Sequence, residues 1–140
     1  MGNPQKAKGD KYENDLAKYF NTHIFGKDQC QRAPLSGGGR VGLHAGGADI
    51  LGTPQIFIEA KRVERLNFRE AVRQAERNIK ATKSQEFPVV ITRKNQEKIE
   101  DSLVVMRLSD WTEFYIGYLR QLGENTCKDK FQVGYTGIVF

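Results

Sequence analysis

Gly47-Ala48-Asp49-Ile50-Leu51-Gly52-Thr53-Pro54-Gln55-Ile56-Phe57-Ile58-Glu59-Ala60-Lys61 is the stretch on which the reading of this chain turns. Two apolar runs, at 48–51 and 55–61, flank Gly52-Thr53-Pro54, the composition of a hairpin. Side chains alternate along a strand, so Glu59 and Lys61 project from one side while Ile58 and Ala60 face the other. A hairpin centred on Pro54 sets Asp49 directly across from Glu59, with Cβ atoms about 4.5–5.5 Å apart. Two carboxylates then converge on one point, with Lys61 one step along.

Like charges at that separation repel, and a divalent cation offsets the cost. Mg²⁺ takes oxygen ligands, typically one or two carboxylates completed by water and substrate phosphate. Such an ion polarises a scissile phosphate and acidifies water, while Lys61 orients the attacking water or stabilises charge on the phosphate. The spacing therefore points to phosphodiester hydrolysis. The plainer alternative is an edge strand with a charged solvent face.

Before the hairpin runs Pro34-Leu35-Ser36-Gly37-Gly38-Gly39-Arg40-Val41-Gly42-Leu43-His44-Ala45-Gly46-Gly47, with six glycines in fourteen residues. Such a segment sustains neither helix nor regular strand and reads as a flexible or tightly turning loop. Loops this long in small domains are usually functional or disordered. After the hairpin, Arg62, Arg65, Arg69, Arg73, Arg77 and Lys80 recur at spacings of three and four, one basic stripe if helical. It is either a phosphate-contacting face or a solvated face balanced by Glu64, Glu70 and Glu76.

Farther out, residues 5–20 read as a first helix with Tyr12, Leu16, Tyr19 and Phe20 on one stripe. Residues 28–33 read as a short strand closed by Pro34. Residues 67–82 read as a helix with Phe68, Ala71, Val72, Ala75 and Ile79 on its apolar side, Asn67 and Glu70 resembling a capping box. Strands are expected at 87–92 and 102–108. Ser109 or Asp110 is expected to cap a last helix carrying Trp111, Phe114, Tyr115, Tyr118, Leu119 and Leu122, a core or interface face. Residues 131–140 are strand-like but broken by Gly134 and Gly137. The order predicts one α/β domain over residues 1–140, a central mixed five-stranded sheet flanked by helices, with a flexible N-terminus at 1–7 and a tail at 123–140.

Composition agrees with a single core: 140 residues, 39% apolar. No apolar run reaches the roughly 18 residues of a membrane span and no secretory signal opens the chain, so a soluble, cytoplasmic protein is expected. The formal charge of +5 and pI of about 9.3 favour a polyanionic partner. Cys30, Cys127, His23 and His44 lack zinc spacing, and both cysteines are expected as reduced thiols.

Four segments, taken together, resemble the PD-(D/E)xK nuclease superfamily, and within it the archaeal and phage-type Holliday junction resolvases. They are Lys8-Gly9-Asp10-Lys11-Tyr12-Glu13-Asn14-Asp15-Leu16, Arg32-Ala33-Pro34-Leu35-Ser36-Gly37, Gly47-Ala48-Asp49-Ile50 and Ile58-Glu59-Ala60-Lys61. The similarity spans roughly residues 8–110. Ala48 stands where the motif's name has proline, which is not a ligand.

The resemblance implies a restriction-endonuclease-like core and a Mg²⁺-dependent endonuclease (Mn²⁺ a substitute) that nicks four-way DNA junctions symmetrically as a homodimer. It implies Glu13, Asp49, Glu59 and the Ala60 carbonyl as metal ligands, Lys61 as catalytic lysine, and Ser36 near the scissile phosphate. Gln74 falls where several members carry a functional glutamine. DNA contacts are expected from Lys8, Lys11, Arg32, Arg40, Arg62, Arg65, Arg69, Arg73 and Gln74, and part of the dimer contact from the aromatic helix. A less selective or restriction-like nuclease and a non-catalytic basic DNA-binding protein are the alternatives.

Overall fold

Asn3 starts the first helix, α1 (Pro4–Phe20): its Oδ1 accepts the Gln5 N–H at 2.9 Å, and Pro4 supplies a preset φ in the first turn. Residues 4–7, expected within a flexible N-terminus, are therefore helical. The structure, a computed structural model, describes residues 2–34 and 47–127. Ser36, Arg40 and most of the glycine-rich loop lie outside the described residues, as does the strand-like stretch 131–140. The chain forms two compact units, residues 1–106 and 107–140.

The first unit is mixed α/β. Past Phe20 the helix continues as one π-turn, Asn21–Phe25, which ends at Gly26 with φ of 66°. Asn21 fixes this turn to the next segment, its Oδ1 accepting the N–H groups of Gln29 (2.9 Å) and Cys30 (2.6 Å) and its Nδ2 donating to the Cys30 carbonyl. Then follow β1 (Gln31–Arg32), β2 (Ile50–Leu51), β3 (Ile56–Arg62), α2 (Phe68–Thr82), β4 (Phe87–Arg93), a 3₁₀ turn at Ile99–Asp101, and β5 (Leu103–Val105). All of the expected helices and strands in this unit are present, with shorter first, second and last strands.

Pairing differs from expectation. Among the described residues the strands divide into a three-stranded sheet, β3-β4-β5, and a two-stranded one, β1-β2, in place of one five-stranded sheet. β3 runs parallel to β4, and β4 antiparallel to β5. The expected hairpin ladder between 48–51 and 55–61 is reduced among the described residues to one backbone bond, Asp49 N–H to Ile58 C=O at 2.9 Å. Gly52 (φ 91°) and Gln55 (φ 73°) bend the connection in the left-handed region. β2 turns instead to β1, with Arg32 opposite Ile50 and Ala33 N–H donating to the Asp49 carbonyl at 2.8 Å.

Helices cover both faces of the larger sheet. Parallel register puts Ile58 beside Val89 and Ala60 beside Ile91, and this face packs against Tyr12, Leu16, Ala17 and Phe20 of α1. On the opposite face Val90 packs against Ala71 and Val72 of α2. Asn67 caps α2 by accepting the Glu70 N–H at 3.0 Å. Phe68, placed on the apolar side by periodicity, is 43% exposed because it opens the helix at the rim. Arg62 lies in β3 and Arg65 in the following loop, so the helical part of the basic stripe is Arg69, Arg73, Arg77 and Lys80.

The second unit contains α3 (Leu108–Gln121), beginning two or three residues earlier than a Ser109 or Asp110 cap requires; Arg107 occupies the cap position without a side-chain capping bond. Trp111 stacks on Tyr115 with ring centroids 4.9 Å apart. Cys30 and Cys127 are both free thiols, the first buried. No helix among the described residues is long and apolar enough to cross a membrane.

Candidate active site

Strand parity decides where the acids stand. Glu59 pairs in register with Val90 and Lys61 with Thr92, so both project toward α2, where Asn78 stabilises the charged form of Glu59. The Glu59 side chain is only 6% exposed, and its Oε2 lies 3.3 Å from Lys61 Nζ. Its Oε1 is buried with no hydrogen-bond partner among the described residues. Burial, then the nearby charge of Asp49, push the Glu59 carboxyl up to about 7.

Asp49 sits at the free edge of β3. Its backbone donates to Ile58, and its Oδ2 accepts the Ala60 N–H at 2.8 Å. An edge strand has N–H groups that its single neighbour leaves unpaired, and the Asp49 carboxylate takes one of them. These local bonds, without a β2–β3 ladder, bring Asp49 near enough for its charge to act on Glu59.

Glu13 reaches the same edge from α1, on the other side of the sheet. Burial first, and the Asp49 charge second, push it up to about 7, even though Arg32 opposes the shift. Arg32 Nε donates to Glu13 Oε1 at 3.0 Å, and its terminal nitrogen to Asp10 Oδ1 at 2.7 Å. Lys6 and Arg32 hold Asp10 below the usual carboxylate range.

Asp49 is thus the common neighbour of two raised carboxyls, one on each side of the sheet. Among the described residues no three acidic, histidine or cysteine side chains gather closely enough to hold a metal ion. The reason is topological: β3 parity turns Glu59 toward α2, whereas Glu13 comes from α1. An ion held by Asp49 and Glu59 with solvent and substrate oxygens needs no third protein carboxylate. The orphaned Glu59 Oε1, buried beside a second acid, fits a hard cation by its chemistry.

No family model, curated protein or solved structure matches the chain.

The remaining expected site residues among those described lie on α1, β1, β3, α2 and the loop before α2. Gln74 is half-buried on α2, four residues before Asn78 and so on the same helical face. Arg32, expected at DNA, is engaged by two acids. Lys11 pairs with Asp15 at 3.0 Å, and Lys8 is half-buried. Arg65 and Arg69 are exposed; Arg73 and Arg77 are exposed and share Glu70, at 3.5 and 2.8 Å. Arg62 is half-buried in β3. Asn78 and Asp10 were not singled out from sequence. The i+4 step from Gln74 marks Asn78, and the i−3 step from Glu13 marks Asp10.

Proposed function

We propose that this chain is a divalent-metal-dependent endonuclease acting on branched DNA, of the Holliday junction resolvase type. The observation that carries the reading is Glu59: a buried carboxylate beside Asp49, one oxygen on Lys61 and the other with no hydrogen-bond partner among the described residues. A purely structural Glu-Ala-Lys edge strand would place its acid in solvent. A buried acid with a raised pKa next to a second acid and a lysine marks a site adapted to chemistry.

Asp49 and Glu59 would hold the cation, with the Ala60 carbonyl available beside them. Bound there, Mg²⁺ or Mn²⁺ would neutralise phosphate charge and acidify water. Lys61, held by Glu59, is placed to orient the attacking water and to stabilise charge on the phosphate. Glu13 adds negative charge at the edge through Asp49, and Arg32 fixes its carboxylate. Hydrolysis adds one water across a P–O bond, leaving a phosphate monoester on one end and a hydroxyl on the other. The exposed cations of α2 follow Lys61 in the chain and supply backbone contacts.

Extending the single Asp49–Ile58 bond into a β2–β3 ladder would join all five strands into the restriction-endonuclease-like sheet that this reading calls for. A four-way junction presents two equivalent strands, so a two-fold dimer, with the aromatic face of α3 contributing to its interface, is the matching assembly. The setting that fits this reading is the cytoplasm.

Incubation with a synthetic four-way junction and a matched linear duplex, with Mg²⁺ or with EDTA, tests the reading. Paired nicks in the junction that require Mg²⁺ support it. Equal cutting of both substrates points to the less selective nuclease. Binding without cutting, unchanged in Asp49→Ala and Lys61→Ala, leaves only a basic DNA-binding protein.

A further inference from the structure

A second cationic feature lies on the opposite flank of α1 from Glu13. At about 100° per residue, Glu13 and Asp10 fall on one side of the buried Tyr12-Leu16-Phe20 stripe, and Asp15, Lys18, Tyr19 and Thr22 on the other. That second flank forms one wall of a cleft of about 510 Å³. Lys18, His23, Arg93 and Lys98 line it, with Asp15 as its one acid, already paired with Lys11 at 3.0 Å. The π-turn after Phe20 carries Thr22 and His23 into the cleft, and the Tyr19 and His23 rings lie 4.4 Å apart there.

Arg93 is held rigidly in this wall. Its guanidinium lies 5.1 Å from the Tyr12 ring centroid and donates to the Glu97 carbonyl at 2.9 Å. Its Nε is buried with no acceptor among the described residues. Directly across the parallel register stands Arg62, whose Nε is buried in the same condition. Two arginines facing each other across adjacent strands repel, and unmet buried donors add to the cost. An anion in the cleft offsets the charge repulsion through Arg93, which lines it, and planar guanidinium donors match phosphate oxygens.

We propose that this cleft binds a backbone phosphate of the DNA strand, with the Tyr19–His23 pair as a ring surface for the adjoining sugar or base. It is a second contact, separated from the carboxylate edge by α1, and it rests on the nuclease reading above. Its volume exceeds what a lone phosphate group needs and accommodates a nucleotide unit. Stacking on rings is indifferent to base identity, as a structure-selective enzyme requires.

The test uses the exposed lysines, whose removal spares the core. Lys18→Ala/Lys98→Ala is compared with a charge-matched control outside the cleft, Lys27→Ala/Lys83→Asn, asparagine being chosen for the left-handed backbone at Lys83. Binding of a four-way junction is measured in EDTA across a salt series, beside cleavage with Mg²⁺. The cleft pair is expected to bind about 10-fold more weakly at 0.1 M salt, with a log–log salt slope shallower by about one to two units, since each phosphate contact contributes about 0.9. The control keeps the wild-type slope. A slope unchanged in the cleft pair, or reduced equally in the control, overturns the cleft while leaving Mg²⁺-dependent cutting by the wild type intact. Wild-type protein that neither binds nor cuts DNA overturns both readings.

Discussion

The Asp49 carboxylate accepts the backbone N–H of Ala60 at 2.8 Å, one residue beyond Glu59 and one before Lys61. A single side chain therefore closes the edge of β3 at the point where the Glu59 and Lys61 side chains leave the strand. Charge and edge closure can be separated by substitution. Asp49→Asn keeps an acceptor for Ala60 while removing the charge, and is expected to stay within about 1 kcal/mol of wild-type stability. Its cleavage rate is expected to fall by at least ~100-fold, the scale of losing one electrostatic partner of the reacting phosphate. Asp49→Ala leaves the Ala60 N–H without its partner and is expected to cost a further ~1–2 kcal/mol. Urea melts and single-turnover cleavage measure the two effects; an Asp49→Asn protein that cuts normally would remove Asp49 from the site.

Glu13 and Glu59 give the protein an unusual dependence on pH. Both are pushed up to about 7, above the ordinary glutamate value of 4.5. Between those values the folded chain holds more protons than the unfolded chain, so stability falls as pH rises. The extra stability is complete below about 4.5, declines through the window up to about 7 and is gone above it. In EDTA the protein is expected to be less stable at pH 8 than at pH 5 by on the order of 2 kcal/mol from these groups, a figure reduced because both shifts draw on the same Asp49 charge. Glu59→Gln, uncharged at every pH, should flatten the profile, as should saturating Mg²⁺ if the ion replaces the proton. Chemical denaturation at several pH values reads this directly. An equally steep profile in Glu13→Gln/Glu59→Gln would assign the dependence to other groups.

Arg32 should reveal itself in the pH profile more than in binding. It contacts Glu13 at 3.0 Å and Asp10 at 2.7 Å, and it is the cation that restrains the rise of the Glu13 carboxyl. Arg32→Ala is expected to move the acidic limb of the cleavage profile upward by about one unit, with the greatest loss of rate near pH 7 and partial recovery near pH 9. Arg32→Lys keeps a charge but lacks the planar fork that spans two acids, so an intermediate shift is expected. If Arg32 instead contacts only DNA, affinity falls and the limb stays in place.

Periodicity and parity made much of this arrangement legible in the chain. The 3.6-residue stripe of Tyr12, Leu16 and Phe20 and the Asn67 cap set both helices, and alternation correctly put Glu59 and Lys61 on one side. Partner choice among strands was not legible. Ile50-Leu51 can extend along either β1 or β3, and the decision lies in backbone angles at Gly52 and Gln55 that apolar patterning does not encode. Asp10 and Asn78 were equally hidden, because an acid on a helix flank and an amide on an amphipathic helix look like ordinary surface residues until a sheet edge meets them. Arg32 read as a free cation for the same reason: its neutralising partners are 19 and 22 residues away in sequence.

Gly52 offers a test of how far the site depends on the turn beside it. It adopts φ of 91°, and a Cβ there would lie 2.2 Å from the Gln29 carbonyl oxygen and 3.0 Å from Cys30 Cα. Its own carbonyl accepts from Gln29 Nε2 at 2.9 Å. Left-handed backbone costs a non-glycine residue about 1–2 kcal/mol, and the contact with Gln29 is with main chain, so β1 and β2 must also separate. Gly52→Ala is therefore expected to destabilise the first unit by about 3 kcal/mol or more. Because Ala33 donates to the Asp49 carbonyl at 2.8 Å, separating those strands also displaces Asp49. Cleavage should accordingly fall even under conditions where the variant remains folded. Gly9→Ala is the matched comparison: it lies within α1, a Cβ there meets nothing within 4 Å, and helix propensity predicts a gain of about 0.5–1 kcal/mol. Should Gly52→Ala melt and cut like wild type, the turn would have no part in holding Asp49 against β3.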